Sequence, residues 1–299
     1  MNSAVEHLIA RYDCQTENDF LMAFREIVQS IVLQGLSRNK FFERAAFYGG
    51  TALRIFYGLN RASEDMDFSL LEPDPSFRVE PFGTRLRSEL ESYGIRAEWS
   101  SKEKTTVSMI DSAFLKMNTR TELLEIGMPA RLAERIPLRR QIKIKLEVDI
   151  DPPPGFLTEV KTRLAPSPHS VRVYRLPDLL AGKLHAVLFR GWKNRVKGRD
   201  WYDLVWYAGH APEVNVDHLN ERIRQTEMKE KGDSASDPVP LTADSLKDRL
   251  RAAVDRLDIA AAQKDVRPFL RDPREIELWS KPFFREVIDS LRPAESRGL

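Results

Sequence analysis

Between residues 17 and 36, apolar side chains recur at helical spacing (Phe20, Phe24, Ile27, Val28, Ile31) and Gly35 offers a stop, which predicts a helix packed on a core. A short apolar run over 45–48 ends in Gly49-Gly50, and 51–57 reads as a short helix closed by Gly58. The pattern then changes period. Asp65, Asp67 and Ser69 fall on one face and Met66, Phe68 and Leu70 on the other, as in a strand with one wet side. Residues 72–85, with Pro73, Pro75, Pro81 and Gly83, predict a loop, 85–93 a helix ended by Gly94, and 95–124 two or three strands. A second alternation over 141–150 sets Ile142, Ile144, Leu146, Val148 and Ile150 against Lys143, Lys145, Glu147 and Asp149, and three prolines after Asp151 end it. From Pro177 the period is helical again: 179–190 with Asp178 as its cap, then 199–208, 244–262 and 273–291. The polar segment 228–243 predicts a mobile loop between helices.

Composition narrows the class. A chain of 299 residues has room for two domains, expected at 1–170 (strands plus N-terminal helices) and 171–299 (helical). Lys and Arg number 47 against 45 Asp and Glu, a net charge of +2 that excludes a histone-like or tail-driven polyanion binder. One cysteine, Cys14, leaves no disulfide or cysteine–metal framework. With no membrane-length apolar run and no secretory leader pattern near the start, a cytoplasmic protein without membrane association is expected. The five histidines show no metal spacing, and no Gly-x-Ser-x-Gly elbow supports a nucleophilic triad.

The densest polar constellation is GGTALRIFYGLNRASEDMDFS. Small residues let the backbone approach an anion, a helix start supplies free N–H groups, and Thr51 adds a hydroxyl. Asp65 and Asp67, two apart on one strand face, can share a hard divalent cation. Glu147 or Asp149 could complete the cluster if the two strands are neighbours; alternation cannot choose between them, and the plainer reading is a polar face salt-bridged to Lys143 and Lys145. Lys183 stands on a mostly apolar helix, where it either snorkels to water or meets phosphate as a point charge. Asp200 and Asp203, three apart in RDWYDL, could orient Lys183 or Arg199, although an acid at a helix start can equally serve the dipole. Basic residues cluster at 131–145 (six against one acid) and at 190–199 (Arg190, Lys193, Arg195, Lys197, Arg199, beside Trp192 and Trp201), a pattern suited to phosphate contact and base stacking or simply to a solvated loop.

Taken in order, Gly49-Gly50-Thr51, Asp65-x-Asp67, the KLEVDIDPP strand, Lys183 and KGRDWYDL resemble the AbiEii-type toxin nucleotidyltransferases of the DNA polymerase beta-like superfamily, over roughly residues 45–210. Thr51 stands where that family commonly has serine. The resemblance implies an α+β fold: a mixed β-sheet flanked by helices, followed by a helical C-terminal region. It implies transfer of a nucleoside monophosphate from a nucleoside triphosphate, with magnesium or manganese, to an acceptor hydroxyl, expected at the 3′ end of tRNA. The roles that go with it are Asp65, Asp67, Lys183 and Asp200 in catalysis; Asp65, Asp67, Glu147 and Asp149 on the metal; and Gly49, Gly50, Thr51, Arg54, Lys183 and Arg199 on the substrate. A separate DNA-binding antitoxin would be the partner. The competing readings are a noncatalytic RNA- or partner-binding module and a metal-dependent nuclease using the same acids.

Overall fold

The computed structural model describes residues 3–101, 109–189, 196–231 and 239–294. Its chain forms two compact units, residues 1–58, 62–152 and 159–173 in the first, and 59–61, 153–158 and 174–299 in the second.

In the first unit, helices α1 (Ser3–Ile9) and α2 (Glu17–Arg38) precede strand β1 (Ala45–Tyr48), helix α3 (Gly49–Tyr57) and strand β2 (Met66–Leu70). Helix α4 (Gly83–Ser92), strands β3 (Glu98–Ser101) and β4 (Ile110–Asn118), helices α5 (Thr119–Glu125) and α6 (Ala130–Ala133), and strands β5 (Gln141–Asp149), β6 (Thr158–Arg163) and β7 (His169–Tyr174) complete it. The sheet is mixed, in the order β3-β4-β5-β2-β1-β7-β6, with β2 parallel to β5 and antiparallel to β1. The expected mixed sheet with flanking helices is what the chain forms.

Helix α2 begins at a reciprocal cap: Thr16 Oγ1 accepts from the Asp19 N–H while the Asp19 carboxylate accepts from the Thr16 N–H. It continues past Gly35 to Arg38, so this glycine is no stop. A Cβ there would lie 2.9 Å from Leu86 Cδ2, which makes Gly35 the place where α4 packs close. Phe24, Val28, Ile31, Leu33 and Leu36 are completely buried, as in a helix surrounded by protein on most sides. They share one core with the inward residues of the sheet, Met66, Phe68, Leu115, Ile144, Leu146 and Val148. Phe41 and Phe47 each set a ring 5.0 Å from that of Phe68, closing the aromatic centre under β1 and β2.

The second unit is built from helices α7 (Leu176–Phe189), α8 (Gly198–His210), α9 (Val216–Lys231), α10 (Ala243–Asp255), α11 (Ile259–Val266) and α12 (Lys281–Asp289), with a small parallel pair β8 (Glu213–Val214) and β9 (Arg292–Pro293). Helix α7 starts two residues before Asp178, which is therefore not its cap; buried, it accepts from Asn215 Nδ2 at 2.7 Å. The helix expected over 244–262 is two, because Asp258 starts α11 afresh by accepting from the Ala261 N–H. The one expected over 273–291 is a 3-10 turn, Pro273–Ile276, followed by α12 capped at Ser280. Of the segment 228–243, α9 takes the start, residues 232–238 lie outside the described residues, and Leu241 is buried and exchanges two hydrogen bonds with Asn220. Among the described residues no helix is long and apolar enough to cross a membrane.

Candidate active site

The turn between β1 and α3 is shaped by Gly49. Its φ of +80° is a left-handed conformation that favours glycine, and a Cβ there would stand 2.3 Å from Asp67 Oδ2. The backbone at the start of α3 thus lies directly against the Asp67 carboxylate, in a cradle that any side chain would fill. Gly50 is buried behind it. Thr51 is completely buried and its hydroxyl donates to the Asp65 carbonyl, tying the diglycine turn to the segment that enters β2. Asp65 itself is exposed, immediately ahead of the strand, and Met66 behind it is core.

Asp67 pairs with Tyr48 on one side and with Glu147 on the other, so the Asp67 and Glu147 side chains stand next to each other on one sheet face. Asp149 is paired with Ser69, one step further along, and accepts from the Asp151 N–H at 3.1 Å. Glu147 is half-buried and held by Lys145, whose Nζ lies 2.6 Å from its Oε1. Among the described residues no group of three acidic, histidine or cysteine side chains is gathered tightly enough to hold a metal. Arg54, on the same helix as the diglycine turn, is in an ion pair with Glu26 at 2.9 Å, and Glu26 also accepts from the Tyr12 hydroxyl.

In the second unit, Lys183 on α7 meets both acids of α8, with Nζ 3.1 Å from Asp200 Oδ1 and 2.7 Å from Asp203 Oδ2. Burial alone would drive the Lys183 proton off; Asp203 and then Asp200 outweigh it and raise the pKa above the usual lysine value, so the ammonium is firmly charged. Asp203 is completely buried and is gripped on its other side by Arg61, which donates from Nε at 2.6 Å and from an Nη at 2.7 Å. Among the described residues, Arg61, Lys183, Asp200 and Asp203 thus bring two cations and two carboxylates into contact. The Arg199 guanidinium lies 4.0 Å from Asp265 and sits 4.2 Å above the Phe269 ring. Arg190, Trp192, Lys193 and Arg195 lie outside the described residues.

Residues 31–289 match the family model described as "Nucleotidyl transferase AbiEii toxin, Type IV TA system". The chain belongs to the AbiEii nucleotidyltransferase toxin family. It is accordingly a nucleotidyltransferase enzyme and the toxin of a toxin–antitoxin pair, with an antitoxin as its counterpart. No curated protein matches it. Among solved structures, JHP933 from Helicobacter pylori is 18% identical over 90% of both chains, with a TM-score of 0.51, a likeness of fold alone. A provisionally assigned nucleotidyltransferase from H. pylori is 21% identical over 90% of this chain and 93% of its own, with a TM-score of 0.48.

Within this AbiEii chain, Arg61 is the residue that reading the sequence passed over. It sits four positions before Asp65 in an unremarkable loop, 142 residues from its partner Asp203. One signal was available: RDWYDL offers two acids to Lys183, a one-charge excess that burial does not tolerate without a second cation.

Proposed function

We propose that this AbiEii protein transfers a nucleoside monophosphate from a nucleoside triphosphate to a hydroxyl at the 3′ end of an RNA, with tRNA the expected acceptor and magnesium the expected metal. The observation that carries the reading is the approach of the Gly49 backbone to the Asp67 carboxylate, with Glu147 in register beside it. A backbone cradle next to paired acids suits a triphosphate bound as its metal complex, and a merely solvated strand face has no need of such an approach. Asp65, Asp67 and Glu147, which are not gathered around one point among the described residues, would close on the cation as the triphosphate brings it in, Asp149 adding negative charge one step along. When bound, a divalent ion neutralises phosphate charge and activates the oxygens of an in-line displacement.

The chain's own groups then have separable tasks. Gly50 and Thr51, at the start of α3, offer backbone N–H groups to phosphate oxygens. The Thr51 hydroxyl keeps that turn registered against Asp65. The acceptor oxygen would bond to the α-phosphorus as the bond to the β-phosphate bridging oxygen breaks; pyrophosphate would leave, and one carboxylate of the Asp67–Glu147 pair would take the acceptor proton. Within the second unit, Asp200 and Asp203 keep Lys183 protonated and fixed, the state in which an ammonium serves a phosphate as a point charge. Arg54 and Arg199, which engage Glu26 and Asp265, would act on substrate only by exchanging those partners.

The test is incubation of the purified chain with each α-labelled nucleoside triphosphate, magnesium and total RNA, with and without chelator. Label is expected in RNA of increased length, lost with chelator, and lowered about a hundredfold or more in Asp67→Asn. RNA shortened instead of extended would establish the nuclease reading, and no label in any macromolecule would end the transfer reading.

A further inference from the structure

The sheet face that bears Asp67 and Glu147 runs on across β5, β4 and β3, and its composition changes along the way. In register, Glu147 stands beside Ser112, Lys145 beside Phe114, and Lys143 beside Lys116; Phe114 and Lys116 are in turn flanked by Ser100 and Glu98 of β3. Behind this face, Ala113, Leu115, Met117, Ile142, Ile144 and Leu146 are core, so the register is fixed and the lysines cannot turn inward. Lys143 and Lys116 are directly opposite one another, an arrangement of like charges that weakens a strand pair. No ion pair of either is found among the described residues, whereas Lys145 is engaged by Glu147 and lies 5.9 Å over the Phe114 ring. Lys116 has the acid Glu98 opposite it on β3, whereas the residue opposite Lys143 on β4 is a second lysine.

We propose that this face, Lys116, Lys143 and Lys145 with Phe114, is where a single-stranded polynucleotide acceptor lies on its way to the carboxylates. Lysines on one strand recur about every 6.6 Å, two residues of rise. That is comparable with the step between phosphates of an extended strand, and Phe114 among them offers a ring on which a base can stack. A polypeptide acceptor has no such repeating charge to match. The proposal rests on the transfer reading above and names the path that its acceptor takes over the sheet.

The test is fluorescence anisotropy of a labelled single-stranded RNA oligonucleotide with a free 3′ hydroxyl, titrated with the full chain at several KCl concentrations, alongside nucleoside triphosphate binding and thermal melting. Lys116→Gln with Lys143→Gln should weaken RNA binding and reduce the slope of log affinity on log salt by about 1.4, about 0.7 per lost phosphate contact. Phe114→Ala should weaken it about tenfold to a hundredfold through lost stacking. Lys143→Glu should lose RNA binding yet melt at the same or a higher temperature, since it replaces a repulsion by a cross-strand pair. Nucleotide binding should be unaffected in all three lysine substitutions. Unchanged RNA affinity and salt slope would overturn the proposal, as would equal losses of RNA and nucleotide binding, or label passing to protein undiminished in these variants. A parent chain that binds RNA as expected but transfers no nucleotide would instead retire the transfer reading and leave the RNA face standing.

Discussion

A single methyl group is enough to separate backbone from acid at Gly49. With φ at +80° and Asp67 Oδ2 2.3 Å from where a Cβ would be, alanine there is strained and also pushes the carboxylate out of line with Glu147. Gly49→Ala is expected to cost about 1–2 kcal/mol of stability and at least about tenfold in kcat/KM, the kinetic loss persisting at temperatures where the variant is fully folded by circular dichroism. Glu122 illustrates a residue effect with no bearing on the chemistry. Buried on α5 and accepting from the Arg96 N–H, it has its pKa raised to about 7 by desolvation, with Glu125 adding to the shift. An acid whose folded pKa exceeds its unfolded value near 4.5 binds its proton more tightly when folded, so its contribution is fully present below about pH 4.5 and is lost as pH rises through 7. Glu122→Gln cannot lose that proton. Its melting temperature relative to the parent should therefore rise between pH 5 and pH 8, by the equivalent of about 2 kcal/mol; a gap independent of pH would mean the carboxyl is already ionised at pH 5.

Elements are joined here by a few buried charges whose pairing spans long stretches of chain. Arg61, between α3 and β2, holds Asp203 of α8, which holds Lys183 of α7. Removing one member leaves an uncompensated charge in the core, so Arg61→Met should cost about 3–5 kcal/mol. Arg61→Met with Asp203→Leu should cost less than the single change, because both desolvated charges go together and Lys183 keeps Asp200. Urea melts of the two variants measure this, and additive losses would show that the pair acts independently. The same network marks where the sequence was and was not legible. Strands β2 and β5 were readable because a period of two needs only neighbours in the chain, and the diglycine turn with its two aspartates because those residue types are costly to place without a use. Gly35 misled because the residue that helps end some helices is also the one that lets α4 come close. The preference for Glu147 over Asp149 beside Asp67 was out of reach, since both point the same way and only the parallel register of β2 with β5 distinguishes them. The two acids of RDWYDL called for a second cation, but that it is Arg61 is set by tertiary packing across 142 residues.

At the scale of the whole molecule the net charge of +2 conceals a strong segregation along the chain. Residues 172–200 carry eight basic groups and two acids, whereas 210–299 carry 16 basic and 18 acidic. Like charges confined to one stretch repel each other, a cost that a bound polyanion would offset as the acids around Lys183 and Arg199 do within the fold. Binding such a polyanion releases condensed counterions, and affinity then falls steeply with salt in proportion to the phosphates neutralised; a single nucleoside triphosphate engages too few groups to show the same slope. Replacing Lys193, Arg195 and Lys197 together by Gln should therefore lower the salt slope of RNA binding by up to about 2, at about 0.7 per contact, and raise the KM for the RNA acceptor well beyond any change in the KM for the nucleotide. Steady-state kinetics with each substrate varied in turn, at two KCl concentrations, separate the two effects. If both KM values rise by the same factor and the salt slope stays where it was, the basic stretch serves the triphosphate or the fold, and the acceptor is held elsewhere.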